Sequence, residues 1–421
     1  MSILVFEDQR VSQLAPITTA RPACAVTMGS YRLIVLLREL DTPCVLHLRR
    51  HLRALCSFDY PEQQIASGDD AAELPGTGPT LAINARLIPS LQNLASVQDL
   101  LSREDTTTGV VRVGDQVAAV IHPGWTWEQV AEGADRGLSG LLEACQQMPE
   151  IDVPMQVVSL PHEVVAANMK TIGDSLQHRI ESQSLTQQQD GVFLGTGATL
   201  GEYVLTDTSS GPIIIDEGAS VGPYTLLRGP IYIGKNCRIL EHAAIKDEVS
   251  LGHTTKIGGE VEAAVVEPFS NKQHHGFLGH SYLGSWINLG AGTCNSDLKN
   301  TYGTVNMEYP GGKSATGMQF LGCVMGDYSK SAINTGIFTG KVIGVCSMMY
   351  GFVTSNVPSF VNYARLFGQL ATLPAEVMIA TQLRMFSRRK VEQRDCDKQL
   401  LHDMYRLTQA ERDRFGDEIA F

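Results

Sequence analysis

Residues 215–258 read IDEGASVGPYTLLRGPIYIGKNCRILEHAAIKDEVSLGHTTKIG. Every sixth residue of this stretch is aliphatic: Ile215, Val221, Leu227, Ile233, Ile239, Ile245, Leu251 and Ile257. A period of six fits neither an α-helix nor an alternating strand. It is the signature of a hexapeptide β-helix, in which three short strands make one triangular turn of about 18 residues. The aliphatic residue of each hexad points into the prism and stacks on its counterpart one turn later. Glycine follows four of them, at Gly222, Gly234, Gly252 and Gly258, and is expected to serve the corners, where a positive φ is needed. The same spacing appears earlier at Leu194-Gly195 and Leu200-Gly201. It resumes at Leu283-Gly284, Leu289-Gly290, Met325-Gly326, Ile337 and Ile343-Gly344, with Ser331 as a small substitute.

The glycines bound this region. Of the chain's 40, 27 fall between Gly191 and Gly351. The composition shift divides the chain into an α/β domain (1–185), a parallel β-helix (190–352) and a C-terminal helical extension (353–421). In the first part, Ile3–Phe6, Val45–Leu48 and Leu81–Ile83 read as strands. Val110–Ile121 reads as a hairpin across Gly114-Asp115, and Tyr31–Leu40 and Pro161–Arg179 as helices. Ala71–Thr80 is loop. Strands alternating with helices imply a mostly parallel sheet. In the tail, Leu400, Leu401, Met404 and Leu407 keep helical spacing, and Arg388, Arg389 and Lys390 form a basic cluster read as a solvated face.

The six-residue period breaks twice. Residues 263–277 lose register, and residues 294–319 form a long excursion. Loops that interrupt a rigid solenoid are where function usually sits.

Bulk properties exclude several classes. The chain has 421 residues and a net charge of −12, which argues against nucleic acid as a partner. It has no apolar run of membrane-spanning length and no basic, then apolar, leader, so no membrane association is expected. Nine cysteines without a CxxC pair imply reduced thiols and a cytoplasmic setting.

The densest polar cluster is Ser270–His280, SNKQHHGFLGH. His274 lies there, outside the hexad. A neutral imidazole takes a proton from an ammonium nucleophile, as acyl transfer to an amine requires. Asn288 and Asn295 are candidates to hydrogen-bond a sugar or a pantetheine arm. Gly290-Ala291-Gly292 leaves the backbone open for a thin ligand. The same region has a second reading: His275 and His280, with His253 or His242 from a neighbouring coil, as a zinc or iron site for hydration chemistry of the gamma carbonic anhydrase kind.

These stretches resemble a known family. Phe6–Pro22 (FEDQRVSQLAPITTARP), Ile257–Glu262 (IGGEVE) and above all Ser270–Asn300 are similar to the bifunctional N-acetylglucosamine-1-phosphate uridylyltransferase and glucosamine-1-phosphate acetyltransferase family, in particular a divergent sugar nucleotidyltransferase branch. The resemblance implies a left-handed β-helix and a cytoplasmic homotrimer with acetyl sites between subunits. It makes acetyl-coenzyme A the donor and a hexosamine 1-phosphate the acceptor, with a nucleotide sugar as the final product. His274 falls on the general base. Asn288, Asn295, Lys272 and Phe277 fall on the substrate side, and Gly290, Ala291, Gly292 and Thr293 on the acetyl-coenzyme A segment. Phe277 stands where the family has tyrosine, and Glu262 near where it has lysine.

The N-terminal half departs further. Glu7, Asp8, Arg10 and Arg21 replace the glycine-rich phosphate loop, and Arg86 falls on the aspartate that holds magnesium. Arg10, Arg21 and Arg86 are the cations available to a nucleotide there, with Mg2+ as a possible cofactor. Three alternatives stay open: only one activity is retained, the β-helix holds a metal, or the chain is a non-enzymatic trimeric scaffold or sensor.

Overall fold

The computed structural model describes residues 1–66, 80–103, 107–122, 145–364 and 369–416. The expected loop 71–80 lies outside them except for Thr80, which begins a strand. The chain divides into two compact units. One comprises Met1–Leu14, Arg21–Val26 and Tyr31–Ser159; the other comprises Ala15–Ala20, Thr27–Ser30 and Leu160–Phe421. The helix Pro161–Ser182 therefore groups with the β-helix, although the composition shift placed it in residues 1–185.

The first unit is built on a six-stranded sheet. Its order is Gln64–Ile65, Cys44–His47, Ser2–Phe6, Thr80–Asn84, Gln116–His122 and Gly109–Val113. The first four strands are parallel. The last two form an antiparallel hairpin, because the two-residue turn Gly114-Asp115, with Gly114 at φ 61°, permits no crossover. The sheet is therefore mixed. Leu4, Phe6, Val45, Ala82, Val110 and Val120 pack one core on it. Ser2–Phe6 has its two parallel neighbours on opposite sides, so its carboxyl end, where Glu7 and Asp8 follow, is a topological switch point.

The second unit is a parallel β-helix with three faces. All eight hexad residues from Ile215 to Ile257 are at most 3% exposed and belong to one core. On one face Ile215 pairs with Ile233 and then Leu251; on the next, Val221 with Ile239 and then Ile257; on the third, Leu227 with Ile245. Each step is eighteen residues, as the hexad period requires.

The hexad glycines do a different job from the one expected. Gly222, Gly234 and Gly252 do not have positive φ; the left-handed residue falls two positions later, at Tyr224, Asn236 and Thr254. The glycines are needed because the next coil runs against them. A Cβ on Gly222 would lie 2.6 Å from the backbone nitrogen of Glu241, and one on Gly234 2.5 Å from the carbonyl oxygen of Leu251. Stacked rings accompany the strained positions. Tyr203, Tyr224 and His242, all at positive φ, stack with centroids 5.1 and 5.4 Å apart.

The break in rhythm begins earlier than residue 263. Five steps separate Val221 from Leu226 and Ile239 from Ala244, but only three separate Ile257 from Glu260. The corner at Gly258-Gly259 is thus two residues short. In the next coil the corner from Lys272 to Phe277 has its full five steps. The later excursion carries a hairpin, Asn306–Tyr309 with Gly312–Ala315.

The coil also continues past residue 352. Val361–Ala364 adds to one face and Gln369–Thr372 closes it antiparallel, so the helical extension begins only at Ala375. Trp286 stacks between Phe269 (4.3 Å) and Phe386 (4.4 Å), which docks the helix Ala375–Arg388 on the coil. The nine cysteines form no disulfide. Among the described residues no helix is long and apolar enough to cross a membrane.

Candidate functional site

The full-length corner Gln273–Gly276 lies over the short corner Gly258-Gly259. A Cβ on Gly258 would lie 2.3 Å from the carbonyl oxygen of Gln273, and one on Gly259 2.9 Å from those of His274 and Gly276. His274 is exposed on this corner. The Gln273 side-chain nitrogen lies 3.2 Å from His274 Nε2. An amide nitrogen only donates, so in this contact Nε2 is the acceptor.

Lys272 is not placed to touch a substrate. It occupies an inward hexad position beside Ile257, only 2% exposed. Its ammonium donates to three carbonyls, those of Gly258 (2.8 Å), Gly276 (2.6 Å) and His274 (3.3 Å). Burial pulls its pKa down to about 8, against smaller opposing contributions from Cys294 and Glu260.

Asn288 is exposed on the outward side of the same face, in register with Asn271 and Lys330. Asn271 is held by the Arg389 guanidinium, which ties one member of the basic cluster to the coil. Asn295 is buried instead. Its amide accepts from the Gly279 N–H at 2.9 Å and donates to the Gly279 carbonyl at 3.0 Å. Phe277 is half-buried, its N–H directed at Cys294 Sγ at 3.4 Å.

The segment Gly290–Thr293 packs closely on the following coil, with Gly290 and Gly292 half-buried. A Cβ on Gly290 would meet the Ala332 backbone at 2.5 Å, and one on Gly292 the Asn334 side chain at 2.1 Å. The Thr293 hydroxyl is 2.8 Å from that of Ser331. Ala291, between the two glycines, is half-buried.

Glu262, which stands near the family's lysine, pairs at 2.9 Å with Lys246, which also holds Glu260 at 2.6 Å. The third face therefore carries its cation one rung earlier. The histidines weighed as metal ligands do not converge within the chain. His280 Nδ1 is 2.9 Å from Asp297, His253 lies against Thr254, and His242 stacks on Tyr224. His275 is exposed beside Gly292. Among the described residues no three His, Cys, Asp or Glu side chains are grouped to hold a metal. The His280–Asp297 pair escaped the sequence reading because its acid comes from the long excursion. His280 lines a polar cleft of about 420 Å3 together with Lys170, Asp174, Glu248 and Glu262.

At the switch point of the first unit, the residues assigned to nucleotide are engaged by protein groups, Asp8 and Arg86 by each other and the rest by Arg49 or Asp115. Glu7 is buried and accepts from the backbone N–H groups of Ala23 (2.9 Å) and Arg49 (3.0 Å) and from the Arg49 guanidinium (3.0 and 3.1 Å). Asp8 accepts from Asn84 at 2.9 Å and from Arg86 at 3.0 and 2.6 Å. Arg86 is fully buried and also donates to the Val158 carbonyl at 2.7 Å. Arg10 forms a two-toothed pair with Asp115. Arg21 is buried, and its carbonyl accepts from Arg49 at 3.1 Å. Both carboxylates that would face Mg2+ are engaged by guanidinium groups, so these residues do not fit the ion as they stand.

Residues 3–183 match the family model of sugar nucleotidyl transferases. Over these residues the chain is similar to sugar nucleotidyl transferases. It is similar to the bifunctional protein GlmU of Nitrosospira multiformis, 27% identical over 210 residues, covering 48% of this chain and 43% of the relative. The bifunctional protein GlmU of Trichormus variabilis is 26% identical over 272 residues, 58% of this chain and 54% of the relative. The chain spans about half the length of these relatives. Among solved structures, the UDP-N-acetylglucosamine acyltransferase of Francisella novicida matches with a TM-score of 0.31 at 14% identity, over 55% of this chain and 78% of that one.

Proposed function

We propose that the β-helix transfers an acetyl group from acetyl-coenzyme A to the amino group of a hexosamine 1-phosphate, with His274 as general base. The reading rests on one observation. An imidazole with an accepting Nε2 stands exposed on a backbone corner that the underlying coil and a buried ammonium both hold. His274 takes the proton of the sugar ammonium, and the freed nitrogen attacks the thioester carbonyl. The N–C bond forms, the C–S bond breaks, the new amide nitrogen sheds its second proton to water, and the coenzyme A thiolate leaves and takes up the first proton from His274. Exposed Asn288 is the polar contact for the substrates. The exposure of His274 suits a homotrimer in which a neighbouring subunit completes the cleft, and the cytoplasm is the compartment where these reactants meet.

The match of residues 3–183 favours a second activity, nucleotidyl transfer onto the acetylated sugar 1-phosphate to give a nucleotide sugar. Glu7, Asp8, Arg10 and Arg86 would have to exchange their present partners for nucleotide and metal. An assay with glucosamine 1-phosphate, acetyl-coenzyme A, Mg2+ and each nucleoside triphosphate reads both steps, as free thiol and as pyrophosphate. His274→Ala is expected to lower thiol release by roughly 10²-fold with the fold intact. Unchanged thiol release would remove the base assignment, and absence of pyrophosphate with every triphosphate would remove the second activity.

A further inference from the structure

A lysine inside this prism needs a reason. The inward column beside Lys272 holds Val221, Ile239 and Ile257, each nearly or wholly buried, and Leu289 follows one coil on. An aliphatic side chain at residue 272 would continue the column without cost, whereas taking an ammonium out of water is unfavourable unless all its donors are met. Here they are met. An ammonium has three N–H donors and finds three carbonyl acceptors, Gly258, His274 and Gly276.

The positions of those acceptors matter. Gly258 belongs to the short corner of the coil beneath. His274 and Gly276 belong to the full corner above it, and one of them is the residue that carries the imidazole. The two corners differ by two residues, so they cannot pair along their whole length as neighbouring corners elsewhere do. The backbone pairing Gly258 N–H to the Lys272 carbonyl (2.7 Å) and Glu260 N–H to the Gly276 carbonyl (3.1 Å) brackets the mismatch. Between these bonds the ammonium joins the two corners.

We infer that Lys272 is a positioning residue: from inside the coil, its ammonium fixes the backbone of the corner Gln273–Gly276 and so sets where His274 presents its imidazole. The inference rests on the reading of His274 as base. Lys272 touches no substrate in this role and acts only through His274. The lysine is then kept for placement, at the expense of stability.

The test is a double-mutant cycle of Lys272→Met and His274→Ala in the full chain, following acetyl-coenzyme A turnover and thermal unfolding. Lys272→Met is expected to fold with an unfolding temperature no lower than that of the parent. It should lose about tenfold or more in kcat, with KM for both substrates within about twofold. In the His274→Ala background the same change should have no further effect, because a residue acting through another adds nothing once that other is gone. If Lys272→Met turns over normally while His274→Ala does not, the positioning role fails and the base assignment stands. If His274→Ala turns over normally, the base assignment itself fails. Should the methionine variant not fold, Lys272→Leu, which matches Leu289, is read the same way. Failure of both to fold would make the ammonium a requirement of the coil and overturn the inference.

Discussion

The side-chain amide of Asn295 takes both backbone groups of Gly279, accepting from its N–H at 2.9 Å and donating to its carbonyl at 3.0 Å. It does so where the third face of the coil is interrupted. Leu205–Asp207 through Phe277–Gly279 form one ladder and Cys294–Asn295 begins another. A side chain thus substitutes for the missing rung between them. Asn295→Ala leaves the buried Gly279 N–H without its acceptor, at about 1–3 kcal/mol, while the carbonyl keeps the Ser281 hydroxyl at 2.6 Å. The expected outcome is a marked drop in unfolding temperature, with KM for the sugar unchanged in whatever enzyme remains folded. A variant of parental stability that loses sugar affinity would restore Asn295 to the substrate side.

Gly290 separates packing from ligand binding in the same way. Its backbone does not need positive φ, but a Cβ there would lie 2.5 Å from the Ala332 backbone. Backbone cannot give way as a side-chain tip can, so Gly290→Ala should destabilise the coil by a few kcal/mol, about the cost of overpacking a core. Gly114→Ala is the control: positive φ at 61° with nothing near the added carbon costs roughly 1 kcal/mol. Equal losses from the two variants, measured by denaturant unfolding, would contradict the contact.

Glu7 supplies a pH test of the first unit. Burial works to raise its pKa, but the Arg49 guanidinium and the N–H groups of Arg49 and Ala23 outweigh it, and the net shift is downward. A carboxylate lowered in the folded state contributes stability above its unfolded pKa of about 4.3, and that contribution is lost as pH falls through the folded value. Stability of the parent should therefore decline below about pH 4–5 more steeply than that of Glu7→Gln, which is weaker at neutral pH. Parallel acid profiles for the two proteins would exclude the pairing as an acid-sensitive element.

Much of this was readable from residue types alone, and the reasons for the rest are specific. The hexad core was legible because inward residues repeat with the geometry of the coil, and all eight from Ile215 to Ile257 are buried. The corner residues were misread because two needs place glycine near a corner: positive φ and close approach. Only coordinates show that Gly222 serves the second while Tyr224 carries the first. His274 could be picked out as a histidine outside the repeat. Lys272 reads from sequence as a substrate contact, since nothing local says that the preceding corner is two residues short and the side chain buried. The N-terminal candidates Glu7, Asp8 and Arg10 follow the strand Ser2–Phe6, and Arg86 follows its neighbour Thr80–Asn84. Their partners include Asn84, Arg49 and Asp115, which come from distant segments.

The buried ammonium of Lys272 predicts an unusual alkaline behaviour. Its pKa is pulled to about 8 by burial, whereas the unfolded chain holds its proton up to about 10.4. Between these values the unfolded state binds more protons than the folded one, so stability rises with pH. The whole displacement is worth on the order of 3 kcal/mol. At neutral pH this is a penalty the folded chain bears, and it is relieved as the lysine loses its proton above about pH 8. Lys272→Met carries no such penalty at any pH. The stability difference between Lys272→Met and the parent should therefore be largest near pH 7 and shrink steadily toward pH 10. Urea unfolding of both proteins across that range measures it directly, and a difference that stays constant with pH would show that the ammonium bears no burial cost. Over the same interval a neutral amine has two N–H donors instead of three, so one of the three carbonyls is released. Hydrogen exchange at the Gln273–Gly276 amides, corrected for its ordinary rise with pH, should then quicken above about pH 8 in the parent and show no such step in Lys272→Met.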